Sequence, residues 1–243
     1  MKHYEKRING YDVHVHEVGE EHAPTIVLVH GIGVSHAYFL PFMKAAAELY
    51  HVIALDLPGY GKTDDPKNVL TIDELAEVVN CFVSQHIKDR VIIAGHSMGT
   101  QIAIQAVHDM PKLYEKVILM APTINKHERN VIMQAVRLLQ DTFREPWEVN
   151  KIVLRDYWRM GVWRYLITTH SMLSDTIEED IAKVKAPILI VNGTNDPICP
   201  NKWAEMLAQK APQAKKVDIV GAPHVFQFSY PQELLEQCKK FIS

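Results

Sequence analysis

Six short apolar runs, at 25–30, 51–56, 90–94, 116–120, 187–192 and 216–220, constrain this chain more than anything else in it. Each is rich in Val, Ile and Leu and is bounded by Gly, Pro, Asp or a charged residue. A strand with one wet face alternates apolar and polar residues, whereas a strand covered on both faces reads as a continuous run. Stretches with helical apolar spacing separate the runs, at 38–49, 72–85, 100–108, 202–211 and 231–242. Strand and helix alternating over the whole length predict an α/β fold, a mostly parallel, doubly wound sheet between layers of helices. Residues 11–18 (Tyr-Asp-Val-His-Val-His-Glu-Val) alternate instead, and Asn9-Gly10 before them predicts an antiparallel hairpin that opens the sheet. A chain of 243 residues buries about 70–75% of its unfolded surface, enough for a core without disulfide or metal.

One stretch breaks the rhythm. Residues 123–186 carry no strand-like run, and a crossover between neighbouring strands needs far fewer residues. The expected organisation is therefore a core domain built from 1–122 and 187–243, with 123–186 inserted as a helical cap. Val131, Ile132, Val136, Leu138 and Leu139 have helical spacing, and Phe143, Trp147, Tyr157, Trp158, Trp163 and Tyr165 follow. These aromatics could pack a small core of the cap's own. As a lid over the carboxyl edge of the sheet, the cap would instead turn Trp147, Tyr157, Trp158 and Trp163 toward a substrate pocket.

The charge balance narrows the partners. A net charge of −3 with no basic stripe gives no footprint for nucleic acid. No apolar run approaches the ~20 residues of a membrane span, and the charged N-terminus is followed by no apolar leader. Cys81, Cys199 and Cys238 are widely spaced and odd in number, which points to a reducing, cytoplasmic compartment. No metal-ligand spacing, phosphate loop or dinucleotide fingerprint is present, so no cofactor and no metal are expected. The expected partner is a small-molecule substrate; monomer and homodimer are equally compatible with the sequence.

The chemistry is concentrated at Gly95-His96-Ser97-Met98-Gly99, which directly follows the run at 90–94 and precedes a helical stretch. In that context Gly-x-Ser-x-Gly is a sharp strand-to-helix turn that exposes the serine hydroxyl. A hydroxyl needs a base. Of the 13 histidines, His224 stands after the last strand, in Gly221-Ala222-Pro223-His224. His96 should point away from Ser97, and His127 and His170 fall in the cap. The acid that orients the base should be Asp196, in Gly193-Thr194-Asn195-Asp196-Pro197 after the run at 187–192. The alternative place, after 116–120, reads Ala121-Pro122-Thr123-Ile124-Asn125 and holds no carboxylate. The order Ser, Asp, His suits such a triad. The oxyanion donors expected are the amides of Met98 and of Ile32, in the glycine-containing loop His30-Gly31-Ile32-Gly33, with Gly33 as the fallback. His30 itself should anchor that loop.

These motifs, with Asp56-Leu57-Pro58-Gly59-Tyr60-Gly61 as a structural turn, resemble the α/β-hydrolase superfamily in the superfamily's order along nearly the whole chain. The resemblance implies a serine hydrolase that cleaves an ester, thioester or lactone through an acyl-enzyme. Ser97 stands where dehalogenases and epoxide hydrolases of this fold carry Asp, and the elbow differs from the Gly-Gly-Ser-Trp-Gly of proline iminopeptidases. Small carboxylesterases, monoacylglycerol-lipase-like enzymes, enol-lactonases, carbon–carbon bond hydrolases of meta-cleavage products and cofactor-free perhydrolases remain, as does a receptor that keeps the triad. Carbon–carbon bond hydrolysis calls for cations that grip a substrate carboxylate. Arg129, Arg137, Arg144, Arg155, Arg159 and Arg164 lie in the expected cap.

Overall fold

The six apolar runs become neighbours in one eight-stranded sheet in the computed structural model, which describes residues 1–243. The strands are β1 (Lys2–Ile8), β2 (Tyr11–Val18), β3 (Thr25–Val29), β4 (His51–Asp56), β5 (Val91–His96), β6 (Tyr114–Met120), β7 (Ile188–Gly193) and β8 (Ala214–Ile219). Their spatial order is β1-β2-β4-β3-β5-β6-β7-β8. β2 runs antiparallel to β1 and to β4, and every other pair is parallel. The mostly parallel, doubly wound sheet opened by a hairpin is thus the architecture that the sequence predicts.

Helices α1 (Leu40–Ala46), α2 (Ile72–His86) and α3 (Met98–Asp109) connect the first strands. The helices α4 (Val131–Thr142), α5 (Trp147–Met160), α6 (Val162–Ser174) and α7 (Ile177–Asp180) lie between β6 and β7. The chain closes with α8 (Asn201–Lys210), α9 (Phe226–Ser229) and α10 (Pro231–Ile242). Every residue of β4, β5 and β7 is buried, the consequence of helices on both faces of the sheet. The run at 216–220 behaves differently from the covered strand its sequence suggests. β8 is an edge strand paired only with β7, and it is half-exposed, with Lys216 bridging to Asp218 at 2.7 Å on its wet side.

Two local devices fix the helix starts. Thr71 and Glu74 form a capping box at the N-terminus of α2, each accepting or donating across the first turn. α3 begins at Met98, two residues earlier than the spacing suggests, because β5 continues through His96 and leaves Ser97 alone as the turn.

The apolar spacing in α4 misleads about which face is inside. Its buried residues are Gln134 and Asp141, while Ile132, Val136 and Leu139 face solvent. Only Leu138 of the spaced apolar set reaches an internal cavity. Its Asp141 instead meets a backbone amide of the loop after β8, where His224 N donates to it.

Candidate active site

Ser97 follows β5 with φ +55°, a left-handed backbone that a serine adopts only when its surroundings enforce it. The two flanking glycines make that possible. A Cβ on Gly95 would collide with the carbonyl of Gly99, and a Cβ on Gly99 would collide with the carbonyl of Val29. Strand and helix therefore meet at backbone distance. The Ser97 amide donates to Met120 O at 3.0 Å, which ties the turn to the end of β6.

His224 lies in the loop after β8. Its Nδ1–H donates to Asp196 Oδ2 at 2.7 Å. The other oxygen of Asp196 accepts from the amides of Ile198 at 2.7 Å and Cys199 at 3.0 Å, in the turn that Pro197 stiffens. The carboxylate thus has a fixed orientation and fixes one tautomer of His224. Burial by itself would lower the imidazolium pKa of His224. The Asp196 carboxylate, with Asp141 and Glu145 beyond it, outweighs burial and raises it to about 9.

Ser97 and His224 line one cavity of about 170 Å³, without a hydrogen bond between Oγ and Nε2 in this conformation. Such bonds often tighten only when substrate binds. Ile32 also lines the cavity. Gly33 does not; it packs against the Tyr157 ring. Met98 is the first residue of α3, where an amide has no carbonyl partner within the helix. The amide of Gly31 is already engaged, donating to Tyr38 Oη at 2.8 Å.

Beyond the residues the motifs single out, two sets of contacts hold the site. In the first, Tyr38 Oη donates to His96 Nδ1 at 2.9 Å, and His96 Nε2–H donates to the carbonyl of His224 at 3.0 Å. This chain links the loop after β3, the elbow and the His224 loop through buried groups. Burial keeps His96 neutral, with its pKa well below the usual histidine value. In the second, α4 and the turn after it reach down to the same loop. Asp141 Oδ1 accepts from His224 N at 3.2 Å, and Glu145 Oε1 accepts from Val225 N at 2.6 Å. Neither Asp141 nor Glu145 has a motif, and no spacing marks them. The one signal is a carboxylate pair four residues apart in a stretch otherwise rich in apolar residues.

The aromatics of 123–186 divide. Tyr157 lines the cavity. Trp147, Trp158 and Trp163 do not: they are 62%, 86% and 75% exposed on the outer surface of α5 and α6, which corrects the expectation that they face the pocket. The reason is geometric. On α5, Val149, Val153 and Tyr157 recur every four residues and take the inner face, which leaves Trp147 and Trp158 outside it.

The arginines of the same segment are also placed elsewhere. Arg129 pairs with Glu178, Arg137 with Glu128, Arg155 with Asp156 and Arg164 with Asp65. Arg144 donates to the carbonyl of Asn195 at 2.8 Å, and Arg159 lines a different, polar cavity. No Lys or Arg lines the cavity that holds Ser97.

His30 anchors the loop after β3 as its position suggests. Its Nδ1–H donates to Gly31 O at 2.8 Å and its Nε2 accepts from Leu57 N at 3.1 Å. Asp56 is buried below, accepting from the amides of His36 at 2.8 Å and Lys62 at 3.2 Å. His16, His36 and Asp56 bring ligand-type atoms within 4.8 Å of one another. The His16 and His36 rings, however, stack with centroids 3.3 Å apart and planes 13° from parallel. An ion cannot lie in both ring planes at once, so the cluster reads as packing around a buried carboxylate. No helix is long and apolar enough to cross a membrane.

Known proteins with this architecture can now be set beside it. A hydrolase of (E)-2-((N-methylformamido)methylene)succinate from Acinetobacter baylyi is 24% identical over 93% of this chain and 92% of its own length. A poly(3-hydroxyalkanoate) depolymerase from Ectopseudomonas oleovorans is 24% identical over 92% of this chain and 86% of its own. The crystal structure of the enol-lactonase from Burkholderia xenovorans LB400 superposes with a TM-score of 0.84 at 20% identity, covering 98% of this chain and 99% of that one. The model of the alpha/beta hydrolase family matches residues 26–237, and the chain belongs to that family.

Proposed function

We propose that the protein is a serine hydrolase that cleaves a carboxylic ester, thioester or lactone of a small, largely apolar substrate through an acyl-enzyme. The observation that carries this reading is the pairing of a backbone-strained Ser97 with a His224 already oriented by Asp196, both facing one cavity. Ser97 Oγ attacks the acyl carbon while His224 Nε2 takes its proton. The tetrahedral oxyanion is held by the amides of Met98 and Ile32, and its collapse expels the alcohol or thiol, which receives the proton from His224. A water activated in the same way releases the acid. Asp196 keeps the imidazole in the tautomer whose Nε2 is free to accept.

The helices between β6 and β7 serve in this reading as a cap. Leu138, Val149, Val153 and Tyr157 give the cavity its apolar wall, and it is small. The relatives named above act on a substituted succinate, a polyester and an enol-lactone, which share an acyl group open to nucleophilic attack. Hydrolysis of a carboxylate-bearing diketone has less support, because the arginines of the cap are engaged elsewhere and no Lys or Arg lines the cavity. A receptor that keeps the triad would bind without turnover. The test is hydrolysis of short p-nitrophenyl esters, thioesters and lactones beside the Ser97→Ala protein. Turnover that disappears with Ser97 supports the enzyme; turnover that survives the substitution refutes it.

A further inference from the structure

Two carboxyl groups in the wall of the Ser97 cavity have no part in the triad. Asp141 and Glu145 both line it, 6% and 9% exposed. Each spends one oxygen on a backbone amide of the His224 loop. Glu145 Oε2 is buried and has no hydrogen-bond partner at all. A buried carboxylate oxygen without a donor is costly, and proteins do not often leave one so. The nearby donors are engaged elsewhere, Asn150 Nδ2 on the carbonyls of Thr142 and Glu145 and Thr142 Oγ1 on that of Leu138, and no Lys or Arg lines the cavity. Burial, and then the charge of Asp141, push the Glu145 carboxyl up to about 8. Burial likewise raises Asp141 to about 6. Both acids thus hold their protons more tightly than free carboxyls, and His224 is the one cationic group in the lining that offsets them.

The burial of α4 points the same way. A helix placed only to cover a pocket would bury its apolar stripe, yet α4 turns Ile132 and Leu139 outward and puts Asp141 inside. We propose that Asp141 and Glu145 form a subsite for a protonated amine of the substrate, so that the preferred esters carry an ammonium group a few bonds from the scissile carbonyl, and carboxylate-bearing esters are rejected. This rests on the serine-hydrolase reading above. An ammonium would donate to Glu145 Oε2 and lie against the free face of Asp141, and the two acids would then be neutralised by the ligand. A carboxylate there would meet like charge in an apolar enclosure.

Two matched ester series test the subsite from either side of the reacting bond. On the acyl side these are p-nitrophenyl butanoate, β-alaninate and monosuccinate. On the alcohol side they are 3-methylbutyl acetate, 2-(dimethylamino)ethyl acetate and 3-acetoxypropanoate, all corrected with the Ser97→Ala protein as blank. In at least one series the ammonium ester should exceed its methyl isostere about tenfold or more in kcat/KM, as a charge-assisted hydrogen bond in a closed site allows, with the carboxylate ester lowest. In Glu145→Gln, which keeps an acceptor for Val225 N, that preference should fall severalfold, mainly through KM. Competitive inhibition of the unaltered enzyme gives an independent reading: butylamine should inhibit more strongly than butanol, and butanoate least. If methyl esters are hydrolysed but ammonium esters are not preferred in either series, or the preference survives in Glu145→Gln, the subsite is refuted and the hydrolase stands. If no ester is turned over and Ser97 is unreactive, the hydrolase reading falls and takes the subsite with it.

Discussion

At Ser97 the backbone holds a conformation that a side chain disfavours, at a cost of about 1–3 kcal/mol. That strain is measurable apart from chemistry. Ser97→Ala and Ser97→Gly should both abolish activity, but the glycine variant, which tolerates φ +55°, should be the more stable by about 1 kcal/mol in urea unfolding. Equal stability would mean that the turn is not strained. His224 makes a second prediction. Its imidazolium is stabilised by Asp196, Asp141 and Glu145, and only the neutral ring can accept the serine proton. The kcat/KM profile should therefore rise with pH through a limb displaced upward from 6.5 toward 9. Removing negative charge by Asp141→Asn or Glu145→Gln should move the limb down, and a limb that stays in place would show that neither acid acts on His224. Asp196→Asn should lower kcat by about 10⁴ with the fold retained, because the wrong tautomer is then favoured. A variant that keeps most of its activity would put the orienting acid elsewhere.

At the scale of elements, what matters is which face each helix of the insertion presents to the cavity. Tyr157→Ala and Leu138→Ala remove cavity wall and should extend the accepted acyl chain by a methylene or more, each worth about fourfold in kcat/KM while space remains. Trp147→Ala, Trp158→Ala and Trp163→Ala should leave the chain-length profile unchanged, since these rings face solvent. A shifted profile in the tryptophan variants would show that the insertion closes differently when substrate is bound. Ser97 was legible in the sequence because a turn between a buried strand and a helix admits few residues, and Gly95 and Gly99 mark it, while Asp196 and His224 could be read from the loops that follow the runs at 187–192 and 216–220. The inner face of α4 was not legible. Apolar spacing reports the buried side of a helix only when the partner surface is apolar, and α4 meets the amides of the His224 loop instead. Tyr38, which joins Gly31 to His96, was equally hidden, because its partners are brought together only by the sheet.

For the molecule as a whole, the carboxyl edge of one sheet gathers residues from five separate loops, and buried polar contacts set their spacing. Asp56 is one of the fully buried members. Burial opposes its charge, but His16 and His36 beside it hold the carboxyl far below the usual carboxylate range. A group whose folded pKa is depressed contributes stability above its unfolded pKa, about 3.9, and that contribution is lost as pH falls below it. Asp56→Ala should therefore lower stability by about 3–5 kcal/mol at neutral pH, as expected when one partner of a buried charged cluster is removed, with the difference from the parent shrinking in acid. A difference independent of pH would assign Asp56 a purely steric role. The strand order, too, was legible only in part, since the sequence shows which runs are doubly covered but not that β8 ends the sheet.

All of this geometry serves one claim, that Ser97 is an activated nucleophile. An ordinary serine hydroxyl is inert toward fluorophosphonates, whereas one paired with an oriented base and oxyanion donors reacts readily. The direct measurement is the intact mass of the protein after fluorophosphonate treatment, followed by peptide mapping. The arrangement predicts a single adduct on Ser97, absent in Ser97→Ala and strongly slowed in Asp196→Asn. A folded protein that takes no label, or takes it on another residue, would contradict it.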